Sequence, residues 1–214
     1  MTPTVFIIGS DKGGTGKTTV TRLLLDYLRA NGVDFKAYDT QFPGGGLQRF
    51  FPELSEIVDL TRSLDQMRVF DNVTNTQASV IDICAGLLSP TLKLLTETGF
   101  FELAKQNKIR VIGLHVVGPD TQSLDEIPAV AKLLQGQRHI VVANHISATE
   151  FAVPAGALNI GRLDEEAAKL VDKLAKPYQE FVDGKESFML RGKVRYWMGQ
   201  AFEAFASEKL SALA

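Results

Sequence analysis

The residues best suited to chemistry lie near the amino terminus, where three glycines, a lysine and two threonines follow one another closely. The segment reads Asp11-Lys12-Gly13-Gly14-Thr15-Gly16-Lys17-Thr18-Thr19. Glycines let a backbone curl so that successive N–H groups point inward, and a helix that follows directs its positive end to the same place. The pattern predicts a phosphate-binding loop, in which Lys17 reaches the β- and γ-phosphates. The loop itself is formed by Gly13, Gly14, Thr15 and Gly16.

Two hydroxyls follow the lysine. We expect Thr18 to ligate Mg²⁺ and Thr19 to hydrogen-bond the α-phosphate. The usual pattern, G-x-x-x-x-G-K-[ST], has glycine where Asp11 stands, and this chain carries a second lysine, Lys12, beside it. The alternative interpretation is an ordinary glycine turn that caps a helix, but the strand predicted before the loop and the helix predicted after it favour the phosphate site.

These side chains need regular elements to position them. Apolar spacing predicts a strand at 4–9, a helix at about 16–30 and a second strand at 35–39. Residues 47–76 are expected to hold two short helices. Further strands are predicted at 78–83, 109–117, 139–143 and 157–160, and further helices near 88–106, 121–135, 164–176 and 192–213. This alternation predicts an α/β fold, a mostly parallel twisted sheet with helices on both faces.

Composition narrows the class of protein. The chain has 214 residues, 45% of them hydrophobic and 22% charged, which is typical of a soluble globular protein, and we expect one domain over 1–214. The formal charge of -2 excludes an overall positive field that would attract nucleic acid or anionic lipid. Binding to either would need a local patch of positive charge. One cysteine, Cys84, excludes an internal disulfide framework and a cysteine-rich metal site. Short apolar runs predict a cytoplasmic protein without a secretory leader or membrane span.

The string KGGTGKTT at 12–19 resembles the deviant Walker A motif of the ParA/MinD family of P-loop ATPases, and the chain is most like the small ParA-type partition proteins. The resemblance implies ATP and Mg²⁺ as cofactors, slow hydrolysis, and an ATP-dependent homodimer that encloses two nucleotides. Lys12 would cross the interface to the phosphates bound by the partner subunit. ATP brings about four negative charges to this interface, so an added cation would reduce their repulsion. The catalytic residues implied are Lys12, Lys17, Asp39, Gln41 and Asp82.

The second strand ends in Asp39, where open α/β sheets place ligand-binding groups. The family has D-x-D-P-Q at this position. Without a gap, Asp39 matches the first Asp, which holds the magnesium hydration shell, and Gln41 replaces the second, which orients the attacking water. A two-residue shift would instead make Asp39 the second Asp and leave Ala37 in the first position. We prefer the gapless register; Asp39 as a mere strand-ending residue is the remaining alternative.

Two later strands end in polar residues that fit the same resemblance. Asp82 follows Val80-Ile81, is similar to the Walker B acid, and would bind a magnesium-coordinated water, which makes Thr18, Asp39 and Asp82 the predicted metal residues. Asn144 ends Val141-Val142-Ala143-Asn144 and is similar to the family asparagine that reads adenine, since an amide both donates and accepts. The segment 118–123 either lines the dimer interface or forms a plain glycine-proline turn.

The carboxyl end carries a basic cluster. Lys185, Arg191, Lys193 and Arg195 oppose one acid and could bind DNA non-specifically, although a solvated surface explains them equally well. The last helix shows an apolar stripe typical of core packing, and Glu203 and Glu208 on its polar face argue against membrane binding.

We therefore expect an ATP-dependent switch that positions DNA or another large cargo, stimulated by an adaptor protein of ParB type. A nucleotide-binding scaffold with little turnover and a small-molecule kinase on the same fold are the alternatives.

Overall fold

The computed structural model describes residues 2–211. The chain begins with strand β1 (Thr4–Gly9), all six residues of which are buried, and continues through the glycine loop into helix α1 (Lys17–Ala30). Strand β2 (Phe35–Asp39) follows. The predicted strand, loop, helix and second strand are confirmed within one residue at each end.

The other elements continue the alternation of strands and helices. They are β3 (Ser55–Ile57), α2 (Ser63–Phe70), β4 (Ala78–Asp82), α3 (Leu88–Glu97), α4 (Phe100–Gln106), β5 (Arg110–Val117), α5 (Thr121–Asp125), α6 (Ile127–Leu133), β6 (Arg138–Asn144), β7 (Leu158–Ile160), α7 (Glu165–Leu174), α8 (Tyr178–Asp183) and α9 (Phe188–Ser207).

Within residues 2–211, seven strands form one sheet in the order β3-β2-β4-β1-β5-β6-β7. Every neighbouring pair is parallel. Side chains of the central strand β1 alternate between two cores, because successive residues of a strand point to opposite faces. Phe6 and Ile8 pack with α1, α7, α8 and α9, whereas Val5 and Ile7 pack with α2, α3, α4 and α6. The α/β class with helices on both faces is confirmed.

The segment 47–76 differs from its prediction of two short helices. It contains one edge strand, β3, and one helix, α2. Ala37 of β2 pairs with Ser55 of β3, so three residues become a strand through pairing with a distant segment. A run this short has too few positions to show a period of two, and the local pattern therefore could not reveal it.

Two predicted helices are divided in the structure. The helix expected at 88–106 breaks at Gly99, which adopts φ 70° and begins α4. The helix expected at 121–135 becomes α5 and α6, and Pro128 lies in the first turn of α6. Pro lacks the N–H needed in a helix interior but fits the first turn, so it marks a new start.

The carboxyl end also differs in its boundaries. The helix expected at 164–176 ends at Leu174, and Pro177 is the N-cap residue of α8, a helix that the sequence did not indicate. Helix α9 begins at Phe188 rather than Gly192 and ends at Ser207. The predicted end at Leu213 lies outside the described residues. None of the helices described between residues 2 and 211 is both long and apolar enough to cross a bilayer.

Candidate nucleotide site

The glycine loop turns sharply between β1 and α1. Gly14 and Gly16 adopt φ 78° and 80°, in the left-handed region that residues with a side chain rarely occupy. Gly16 is also confined by its surroundings, because an added Cβ would lie 2.2 Å from Nδ2 of Asn144. The loop leads straight into the amino end of the 14-residue helix α1, which carries partial positive charge.

The loop forms one side of a cleft of about 460 Å³ at the carboxyl ends of β2 and β4. This is the edge at which open α/β sheets bind ligands. The structure brings together at this cleft the predicted residues Gly14, Gly16, Lys17, Thr18, Thr19, Asp39, Gln41 and Asp82.

Lys17 is held inside the loop. Only 8% of the residue is exposed, and Nζ donates a hydrogen bond to the carbonyl oxygen of Lys12 at 2.9 Å. Burial lowers the pKa of Lys17, an effect that the neighbouring Asp82 carboxyl opposes. The ammonium group is therefore held against the curled backbone, next to the space that an anion would occupy.

Asp82 ends β4 beneath this loop and is bound by two threonine hydroxyls of α1. Thr18 Oγ1 donates to one carboxyl oxygen at 2.8 Å, and Thr21 Oγ1 donates to the other at 2.7 Å. Burial raises the pKa of Asp82 to about 7. Sequence analysis missed Thr21, although its position one turn after Thr18 puts both hydroxyls on the same side of α1.

These donors fit a magnesium ion. Mg²⁺ prefers oxygen ligands, and a buried carboxylate is costly without a compensating cation or hydrogen bonds. Thr18 and Asp82 offer a hydroxyl and a carboxylate 2.8 Å apart at the cleft. Across the described chain, residues 2–211, no cluster of three or more His, Cys, Asp or Glu side chains forms an alternative metal centre.

Asp39 fixes the loop that follows β2. One carboxyl oxygen accepts from the backbone N–H of Gln41 at 2.9 Å, and the other accepts from Leu47 and Gln48 at 2.6 and 3.0 Å. Asp39 also lies opposite Asp82 in the pairing of β2 with β4, whereas Ala37 lies opposite Val80. The acid beside Asp82 is thus Asp39, and the choice between the two registers of the family motif stays a prediction.

Gln41 has an exposed side chain at the mouth of the cleft. Its Oε1 lies 2.7 Å from the place where a Cβ on Gly46 would stand, and Thr18 Oγ1 lies 3.7 Å from the same point. The missing side chain of Gly46 therefore leaves room for the end of the Gln41 side chain.

Thr40 links the two loops on either side of Asp82. Its hydroxyl donates to the carbonyl oxygen of Asp82 at 3.1 Å and accepts from the N–H of Cys84 at 2.8 Å. Thr40 was not predicted as a site residue, because its partners are more than forty positions away in the chain.

Lys12 is bound within its own protomer. Its ammonium group forms an ion pair with Asp120 at 3.0 Å and donates to Oε1 of Gln122 at 2.8 Å. Both partners lie in the segment 118–123, where α5 begins. The ion pair is partly exposed, and pairs of this kind contribute little to stability.

Asn144 contacts the glycine loop between β1 and α1. Its Nδ2 donates to the carbonyl oxygens of Thr15 and Gly16 at 2.9 and 3.3 Å, and the residue is buried. The predicted contact with adenine is a separate role; the amide nitrogen here supports the loop backbone.

Comparison with solved structures finds a common architecture. MinD from Pyrococcus horikoshii, solved as a complex with Mg-ADP, is 19% identical with a TM-score of 0.60, and the match covers 100% of this chain and 99% of that chain. A ParA family ATPase from Chlorobium tepidum is 13% identical with a TM-score of 0.55, covering 91% and 98%. MinD from Aquifex aeolicus is 18% identical with a TM-score of 0.52, covering 91% and 97%.

This chain has the MinD/ParA fold. No family model matches the sequence. Comparison with curated proteins finds no match either.

The four basic residues predicted as a DNA contact at the carboxyl end of this chain differ in their contacts. Arg191 donates to the carbonyl oxygens of Gly184 and Val182, and Lys193 pairs with Asp164 at 2.5 Å. Lys185 and Arg195 have exposed side chains. Lys193 is exposed as well, so three of the four cations face solvent, and Arg191 is the half-buried one that binds backbone carbonyl groups.

Proposed function

We propose that this chain is a switch ATPase that binds ATP with Mg²⁺, dimerises on binding it and hydrolyses it slowly, and that 1–214 forms one ATPase domain. The observation that carries the proposal is the convergence of the curled glycine loop, the buried Lys17 and the Thr18–Asp82 pair at one cleft. Backbone N–H groups, a lysine and an oxygen ligand pair are the parts needed to bind a triphosphate.

Each residue then has a defined task in binding. Lys17 contacts the β- and γ-phosphates, the loop backbone surrounds them, and Thr19 contacts the α-phosphate. Thr18 and Asp82 hold the magnesium ion, and Asp39 acts through the shape of the loop that it fixes. A bound magnesium ion supplies charge neutralisation between the phosphate oxygens.

Gln41 is the residue at the cleft mouth best placed to act on an attacking water. A glutamine amide orients water without removing its proton, as it does in some GTPases. Turnover is therefore slow, and stimulation comes from a second protein, an adaptor of ParB type in our proposal.

Lys12 completes the partner's site in the dimer. To do so it leaves Asp120 and Gln122, and the anionic phosphates of the partner's nucleotide replace the carboxylate that it gives up. Because the Asp120 pair is partly exposed, little free energy opposes this exchange.

Light scattering with a non-hydrolysable ATP analogue tests this assembly. We expect the analogue to double the mass of the wild-type species, and Lys12→Ala to bind the analogue without this doubling. Asp120→Asn should associate on nucleotide binding with up to about fivefold higher affinity, because it releases Lys12 from an exposed ion pair. A Lys12→Ala variant whose mass still doubles when the analogue is added would remove the assembly role.

The cellular role we propose is positioning of DNA or another large cargo in the cytoplasm, without membrane anchoring. Exposed Lys185 and Arg195 support contact with phosphate groups, with smaller contributions from Arg191 and Lys193. DNA that accelerates ATP turnover in the wild-type chain, and fails to do so in a Lys185→Ala, Arg195→Ala double variant, is the expected result.

A nucleotide-binding scaffold with little turnover is a second candidate, which Gln41 favours because it replaces a carboxylate. The steady-state rate of Gln41→Asp separates the two. We expect about a tenfold rise if Gln41 occupies the water-orienting position, since a carboxylate can also accept a proton. An unchanged or lower rate would count against that position.

A further inference from the structure

Helix α9 is the longest helix described, with 20 residues, and its two sides have very different surroundings. One side is buried against the sheet and α1 through Val194, Trp197, Met198, Ala201 and Phe205. The opposite side faces solvent, and it includes large aromatic side chains.

The exposed side forms one continuous face. Positions 188, 192, 196, 199 and 203 follow one another at spacings of four, four, three and four, which keeps them on one side of a helix. Phe188 is 80% exposed and Tyr196 is 71% exposed. Large aromatic groups at helical spacing on a solvated face are typical of a protein interface.

Two glycines interrupt this face, at 192 and 199. Glycine is a poor helix former, and neither residue has the positive φ that would require it. A Cβ added at either position would meet no atom within 4 Å in the described part of the chain. The fold of one protomer thus gives no reason for glycine here, but a second helix packed at this point would, since it could approach the backbone closely.

The charges on this face point to a second copy of the same helix. Arg195 and Glu203 lie four residues before and four residues after Gly199. Both are exposed, and among residues 2–211 neither takes part in an ion pair. A two-fold axis at Gly199 relates residues at equal distances on either side of it, so Arg195 of one copy would face Glu203 of the other.

We propose that two copies of this chain associate through α9, antiparallel, with a two-fold axis at Gly199. The glycines let the helices approach, Tyr196 packs into the groove beside Gly199 of the other copy, and two Arg195–Glu203 pairs fix the register. Such an interface is isologous, as closed dimers require. It uses no residue of the nucleotide cleft and does not depend on the proposed ATPase activity, and it shares only Arg195 with the proposed DNA contact.

Cross-linking of the nucleotide-free full chain tests the axis directly. Gly199→Cys places two thiols at the crossing point, within the Cα separation of about 7 Å that a disulfide can span. We expect a disulfide-linked dimer on a non-reducing gel after mild oxidation. Ser207→Cys is the matched control, because two residues eight positions beyond the axis lie about 24 Å apart along antiparallel helices. The wild-type chain, whose single cysteine is Cys84, shows how much cross-linking arises through that residue alone.

Cross-linking that is absent at 199, or equally strong at 207, overturns the proposal. Sedimentation equilibrium of the same nucleotide-free chain then tests the charge pairs. Arg195→Glu and Glu203→Arg should each weaken association about tenfold, since each places like charges opposite one another.

The double variant Arg195→Glu, Glu203→Arg should restore the wild-type affinity to within about threefold, because it re-forms both pairs with reversed sign. Lys105→Glu, at an exposed position of α4, changes the net charge by the same amount as Arg195→Glu and should leave association unchanged. A wild-type chain that stays monomeric, or a double variant as weak as the single ones, contradicts the interface.

Discussion

Helix α1 has two parts, residues 17–21 and residues 22–30, that place polar groups in contrasting settings. In the first part, Lys17 binds the glycine loop, and Thr18 and Thr21 bind Asp82. In the second part, the Arg22 guanidinium stacks 3.4 Å from the Phe50 ring centre and 4.0 Å from that of Tyr178. The first part faces the cleft, and the second joins the sheet to α8.

The carboxyls in these two settings have the same electrostatic signature. Burial raises the pKa of Asp82 to about 7 and the pKa of Asp26 to about 6. Asp82 is bound by hydroxyls that open on the cleft, whereas Asp26 accepts from the backbone N–H groups of Tyr178 and Gln179, at 2.8 and 3.3 Å, where α8 begins. A raised pKa therefore does not by itself identify a ligand site; the neighbouring cleft and the chemistry of the partners distinguish the two carboxyls.

The largest effect that separates the two parts of α1 is expected for Lys17→Ala. Removing a buried ammonium group from a phosphate site should weaken ATP binding by about 4 kcal/mol, close to a thousandfold. Isothermal titration calorimetry measures the affinity. The melting temperature should change little, because the lysine is desolvated in the free protein, and retained ATP affinity would refute the phosphate-loop assignment.

Asp26→Asn should act on stability and not on nucleotide binding. The folded pKa of about 6 exceeds the ordinary 3.8, so the unfolded chain ionises first as the pH rises, and the free energy of unfolding falls by about 2 kcal/mol between pH 4 and 7. The asparagine variant lacks this loss. Urea unfolding should show the stability of the variant relative to wild type increasing by that amount over the same range.

The positive charges of Arg22 and Arg29 lower the pKa of Asp26 and so act against the effect of burial. The pKa is about 6 even with both arginines nearby. A difference between the two proteins that stays constant with pH would mean that Asp26 is already ionised in the folded chain at pH 4, contrary to its burial.

The smallest of these effects is expected for Asn144, which contacts Gly16, the N-cap residue of α1. Asn144→Ala removes the donor to the Thr15 and Gly16 carbonyls and should cost about 1–2 kcal/mol of stability, measured by urea unfolding without nucleotide. Asn107→Ala, which removes an exposed amide donor at the end of α4, is the control and should cost less than about 0.5 kcal/mol.

The same variant distinguishes the two roles considered for Asn144. If it acts through the loop, ATP and GTP affinities should fall together. A selective loss of ATP affinity would instead support contact with adenine, because only the base differs between the two nucleotides.

Local patterns were sufficient for the centre of the sheet and for the loop. The run before Gly9 is wholly buried and reads as a strand without further information, and Lys17 and Thr18 follow from spacing within nine residues. Asp82 could be predicted because an acid that ends a buried strand reaches the same edge as the loop.

Contacts between segments far apart in the chain could not be predicted from the sequence. β3 exists through its pairing with β2, and Lys12 finds Asp120 more than a hundred residues away. The basic cluster at 185–195 is predicted from the number of charges alone. That number does not reveal that Arg191 binds a backbone carbonyl group or that Lys193 pairs with Asp164.

The hydroxyl of Thr40 couples the two backbone segments that border the cleft. Because Thr40 bonds to residues on both sides of the β4 carboxyl end, the segment after β2 cannot shift independently of the segment after β4. A ligand that displaces either one transmits the strain to the other, so the pair should respond as a single cooperative unit. Hydrogen exchange would then register one opening event at Gln41 and Ala85 rather than two.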